Sequence, residues 1–235
     1  MDQDKYRLLV EEVTSKLKAD DNVLAIARCD IGSAAVEDSI PRLDLLVLVS
    51  SMPFDLDMFG RKRVRRQNVE TVLIYYRPER LRTAIEDEAG CWFASGLVIY
   101  SKTIYDPKDL FLALRGLVNS ISEDRRRVAI DSWVAAAKAY PSMVFNRMPL
   151  KKGSRLEMLL GDQAPIARAL FLINSKPPRG ETSLLEDLLN LPRLPPRFED
   201  LFGIIDAFQI RDLKKLKQAQ KSYATFIAEI ERLVS

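Results

Sequence analysis

The sequence of 235 residues contains no histidine. That absence excludes Ser-His-Asp and Cys-His nucleophilic catalysis, the HExxH zinc site and histidine as a general base. Any chemistry must then run on carboxylates, lysine, arginine, tyrosine or serine, or on a hard metal such as Mg²⁺ held by carboxylates. Cysteine is scarce as well: Cys29 and Cys91 are the only two. Two cysteines make neither a disulfide framework nor a zinc site, and each sits beside apolar residues, so buried thiols in a reducing compartment are expected. No apolar run approaches the roughly 20 residues that span a bilayer. The first residues, MDQDKYRLLVEEV, are charged and read as an amphipathic helix rather than a signal peptide. The expectation is a cytoplasmic protein with no membrane partner.

Charged residues make up 29% of the chain, yet the net charge is only +3. The cations are unevenly spread. Arg61-Lys62-Arg63-Val64-Arg65-Arg66 is the densest run, with smaller clusters at Arg125-Arg126-Arg127 and Lys151-Lys152. Such runs suit phosphates, although a solvated loop is the plainer reading of 61–66. The run lacks the interleaved aromatics of a base-stacking platform, so a nucleic-acid partner is not expected.

Periodicity divides the chain into two halves. Tyr6, Leu9, Val10, Val13 and Leu17 recur at helical spacing over residues 4–19. Val23 to Ala27, Leu43 to Val49 and Val69 to Tyr76 read as buried strands, and Pro78 opens a helix through about Glu88. Val98-Ile99-Tyr100 with its flanks predicts a fourth strand ending at Asp106-Pro107. Beyond residue 108 the period is helical. Ser120/Glu123 and Ser154/Glu157 resemble capping boxes opening helices over 121–140 and 154–174, the second kinked at Pro165. A short helix is expected over 182–190. In the last helix, Leu213, Leu216, Gln220, Tyr223, Ile227, Ile230 and Val234 form an a/d stripe, suited to a bundle seam or to a homodimer through the helical half. The expected fold is α+β: a mixed sheet with flanking helices over 1–110, then a helical bundle over 111–235.

One constellation carries chemistry. A Gly32-Ser33 pair follows the first strand, and such a turn lets backbone N–H groups approach a phosphate beside a hydroxyl. Asp44 is an acid within an apolar strand, where it must be paired or hold a metal. Glu70 opens the neighbouring strand. Arg42, two residues before Asp44, shares its strand face, so a structural ion pair is the alternative to metal ligation. Glu70 also reads as a solvated strand-end acid. Asp55 and Asp57 read as turn chemistry.

In this order and strand context, these residues resemble the nucleotidyltransferase superfamily, in particular its minimal and aminoglycoside-type members with a helical C-terminal domain. The family pattern is Gly-Ser, a polar loop, Asp-x-Asp leading into an apolar strand, and a third acid on the next strand. Gly32-Ser33 matches the first element, Asp44 the second acid of the pair, and Glu70 the third acid. Arg77-Pro78-Glu79-Arg80-Leu81 resembles the family's strand-to-helix step, and Ala167 to Asn174 its C-terminal bundle. The resemblance implies transfer of a nucleoside monophosphate from a nucleoside triphosphate to a hydroxyl of a small-molecule or protein acceptor. Asp44 and Glu70 would be catalytic and hold Mg²⁺, and Gly32, Ser33 and Arg42 would contact the nucleotide. The departures are specific. Arg42 occupies the place of the first acid, the arginine expected soon after Gly-Ser is missing, and the loop is short. A guanidinium in place of a bridging carboxylate repels Mg²⁺ by several kcal/mol at short range, unless Glu37 or Asp38 replaces the missing ligand. A catalytically inactive module that binds a nucleotide or a partner is therefore the alternative.

Overall fold

In the computed structural model, residues 3–29, 42–57, 60–66, 69–147, 165–180, 183–196, 198 and 213–234 are described. Gly32, Ser33, Glu37, Asp38 and the Ser154/Glu157 pair lie outside them. The chain divides into two compact units, residues 1–121 with 179–183, and residues 122–178 with 184–235.

The first unit is built on a five-stranded mixed sheet. Helix α1 (Gln3–Lys18) precedes β1 (Val23–Cys29), and β2 (Arg42–Val49), β3 (Arg61–Arg66), β4 (Val69–Tyr76) and β5 (Ser101–Tyr105) complete the strand order β3-β4-β2-β1-β5. Among the described residues, β2 and β4 are the pair that runs parallel, with Arg42 opposite Glu70 and Asp44 opposite Val72. These two central strands are apolar on both faces, as strands covered on both sides must be. Alternation sends Ala25, Ala27, Cys29, Leu46, Leu48, Val72 and Ile74 to one face. There they pack against α2 (Pro78–Asp87), α3 (Phe93–Ile99) and α4 (Leu110–Ser120) through Leu81, Ile85, Ala94, Val98, Phe111 and Leu114. Leu43, Leu45, Val47, Val69, Leu73 and Tyr75 line the other face with Leu9 and Val13 of α1. Cys29 and Cys91 are buried thiols.

Two elements differ from the sequence reading. Residues 61–66 form an edge strand rather than a loop. Gly60 turns the chain into it at a φ of 71°, where an added Cβ would stand 3.2 Å from the Tyr75 carbonyl oxygen. Asp57 accepts the Arg61 N–H at 2.8 Å and fixes the same turn. Cations on an edge strand also discourage pairing with another chain. Second, the Val98-Ile99 run ends a short helix, α3, and the strand follows it. Glu88 accepts the Ala94 N–H at 2.9 Å and so caps α3. Arg115 then donates to the carbonyls of Val98 (3.2 Å) and Ser101 (2.8 Å), binding α4 to the α3–β5 junction. Asp106 accepts the N–H groups of Leu110 and Phe111, each at 2.8 Å, and caps α4. Helix α4 therefore packs against α2 and α3 within the first unit.

The second unit is helical: α5 (Glu123–Arg147), α6 (Pro165–Ile173), α7 (Leu184–Leu189) and α8 (Leu213–Val234). Ser122, not Ser120, caps α5, accepting the Arg125 N–H at 3.3 Å. Helix α5 continues past Pro141, which has no N–H to give the Ala137 carbonyl. The Tyr223 hydroxyl of α8 donates to that carbonyl at 3.1 Å instead, so the a/d stripe satisfies the proline's orphan. Tyr223, Phe226, Ile227 and Ile230 are buried. Asn174 donates to the carbonyls of Leu170 and Arg193 and accepts the Arg193 N–H at 2.8 Å, a structural clamp. Arg168 stacks over Trp133 at 4.6 Å. Among the described residues, no helix is long and apolar enough to cross a membrane.

Candidate functional site

The amino-terminal ends of the parallel strands β2 and β4 bring three of the sequence candidates together, while Gly32 and Ser33 lie outside the described residues. Arg42, Asp44 and Glu70 lie on the sheet face that also carries Leu46, Val72 and Ile74, by strand parity and register. Arg42 and Glu70 are directly opposed, and Asp44 is diagonal to Glu70. Because 61–66 is a strand, it contributes to the same face: Arg61 is opposite Ile74, Arg63 opposite Val72 and Arg65 opposite Glu70.

Asp44 is 4% exposed, and the Arg42 Nε donates to its Oδ1 at 2.7 Å. Burial pushes the Asp44 carboxyl above its ordinary value, Arg42 opposes that shift by charge and hydrogen bond, Glu70 adds to it, and Arg61 opposes it. Glu70 is half-buried and meets the Arg63 guanidinium at 3.5 Å. Each candidate metal-ligating acid therefore faces a cation. Among the described residues, no three acidic or cysteine side chains converge where a metal ion could sit. The Arg42 guanidinium engages Asp44 Oδ1 and brings a positive charge to the place where a second metal would sit and be repelled. The described residues thus do not fit a divalent-metal pair.

The chain is similar to a solved structure described as a nucleotidyltransferase-like protein from Exiguobacterium sibiricum 255-15, with 12% identity, 95% of this chain and 72% of that one covered, and a TM-score of 0.44. No family model matches the chain. No curated protein matches it either.

What the sequence alone missed here is the arginine row. Arg61, Arg63 and Arg65 alternate with Lys62 and Val64, a period of two that becomes legible only once the segment is known to pair with β4. The signal was present as alternation around Val64, masked because both parities are cationic. Arg63 is 57% exposed and Arg42 27%, so both guanidiniums reach solvent at this end of the sheet. Asp55 and Asp57 are elsewhere engaged: Asp55 pairs with Lys62, and Asp57 holds the turn into β3.

Proposed function

We propose that this protein is a nucleotidyltransferase-like module that binds a nucleotide through its phosphates and has lost metal-dependent transfer. The observation that carries the reading is the Arg42–Asp44 ion pair, set on the face where Arg61, Arg63 and Arg65 also stand. In this reading the arginines replace the charge that Mg²⁺ supplies in active members of the superfamily; Gly32-Ser33, the candidate phosphate turn of the sequence, lies outside the described residues. Arg42 neutralises Asp44 and so keeps a buried anion from repelling the ligand. Guanidinium is suited to this role because its planar donor fork matches phosphate oxygens two at a time.

Calorimetric titration with ATP, GTP, CTP and UTP, with and without Mg²⁺, tests the reading. The expected result is binding of at least one nucleotide without Mg²⁺, weakened several-fold by Arg63→Ala and by added salt. Mg²⁺-dependent binding abolished by Asp44→Ala, with transfer to an acceptor, would overturn it in favour of an enzyme. Failure to bind any of the four would remove the nucleotide altogether.

A further inference from the structure

The opposite face of the sheet carries a cavity of about 180 Å³ between one flank of α1 and the β3–β4 pair. Val13, Leu17, Val64 and Leu73 make its walls, with Thr71 and Tyr75 beside them. Val64 stands opposite Thr71, and Lys62 opposite Leu73, so the β3–β4 register builds this wall. Thr71 is 2% exposed, and its hydroxyl has no hydrogen-bond partner among the described residues. A buried hydroxyl left unpaired is costly and marks this wall as loosely satisfied. Burial raises the Tyr75 pKa, with the charges of Asp55 and Asp20 adding to it, so its phenol stays protonated.

Cations line the cavity itself, with acids at its margin: the charges of Asp55 and Asp20 act on Tyr75 from beside it. Lys16 and Lys62 are the charged residues among its described lining, and both are cations. Each has an acidic neighbour outside that lining: Lys16 pairs with Glu12 at 2.6 Å, and Lys62 pairs with Asp55. All four side chains are at least 40% exposed. Exposed pairs of this kind contribute little, so either lysine can exchange its partner for an anion in the cavity. An apolar cavity of about 150 Å³ already admits a single aromatic ring. The apolar walls and the two ammonium groups describe one kind of occupant.

We propose that this cavity binds a small organic carboxylate, with its ring or short branched chain against Val13, Leu17 and Leu73 and its carboxylate toward Lys16 and Lys62. The site is separate from the arginine face, and loss of nucleotide binding there would leave it intact. The test is a titration of the full chain with sodium benzoate, followed by methyl-detected NMR, with benzyl alcohol as the neutral analogue. The expected result is a saturable shift confined to the methyl groups of Val13, Leu17, Val64, Thr71 and Leu73, with benzyl alcohol binding several-fold more weakly. Lys62→Met, which keeps the aliphatic stem and removes the charge, should weaken benzoate several-fold and leave benzyl alcohol unchanged. Val64→Trp, filling the cavity from the edge strand, should abolish both. Absence of a saturable shift, equal affinity for the two probes, or unchanged benzoate binding in Lys62→Met would overturn the proposal. So would unchanged binding in a Val64→Trp protein that keeps a native spectrum.

Discussion

The two faces of the sheet use the same strands for different ends. On one, three helices bury an apolar patch that gives way, at the start of β2 and β4, to Arg42, Asp44, Glu70 and the arginines of β3. On the other, among the described residues, α1 covers an apolar surface in which Thr71 is the buried polar residue of β4. Strand parity alone assigns each residue to its side, so Leu43 and Asp44, adjacent in sequence, meet opposite environments. The difference lies in how each face handles polarity. The first pairs its buried carboxylate with a neighbour two residues away, although the Ser95 hydroxyl of α3 is buried there without a partner among the described residues, and the second has the Thr71 hydroxyl in the same condition beside a cavity.

The largest effect should come from breaking the charge pair on one side only. Arg42→Ala leaves the Asp44 carboxylate buried without its partner, and removing one member of a buried pair typically costs several kcal/mol. Arg42 is 27% exposed, and Asp44 can take up a proton, so the expected loss is about 2–3 kcal/mol at neutral pH. Replacing both members, as in Arg42→Met with Asp44→Leu, should recover most of that loss. Urea denaturation of the three proteins measures it. A double variant no more stable than Arg42→Ala would show that the pair is not the unit of stability on this face.

Much of the sheet was legible beforehand. The apolar runs of β1, β2 and β4 and the helical spacing of α1 read correctly because burial on two faces, or on one stripe, writes a simple period. The ion pair was legible as an alternative because residues two apart on a strand share a face. Strand β3 was not: five cations in six residues carry little β-propensity, and pairing with β4 with one edge open is what makes them a strand. Helix α3 was lost for the opposite reason. Ala94, Ser95, Gly96 and Val98 are buried, and an apolar run of that length reads equally as strand or helix. Missing β3 also hid the Arg63–Glu70 contact, so Glu70 read as a metal-ligating acid or a solvated strand end rather than as the partner of an arginine.

The second face should respond in the other direction. Thr71→Val keeps the shape of the side chain and removes a hydroxyl that has no partner among the described residues. Stability should rise by about 1 kcal/mol, since the desolvation cost of an unpaired group disappears. Thermal unfolding reads the change. A loss of similar size would mean that the hydroxyl is satisfied, by water in the cavity, and would set the two faces on equal terms.

The smallest effect is a dependence on pH that separates Asp44 from an ordinary paired acid. Salt-bridged carboxylates usually titrate lower in the folded protein, and their contribution is lost as pH falls. Here desolvation outweighs Arg42 and the folded-state value lies above 3.8. The folded protein therefore binds more protons than the unfolded chain in the interval from 3.8 up to that value, and stability declines as pH rises through it. Below the interval both states are protonated, and above it both are ionised. Asp44→Asn removes the titration, so the difference in unfolding free energy between the native sequence and this variant should fall with rising pH across that interval and stay level outside it. Denaturation at a series of pH values from 3 to 7 measures the difference. A difference that rises with pH instead would mean that Arg42 outweighs burial, and the pair would then be a net source of stability at neutral pH rather than a buried charge held in check.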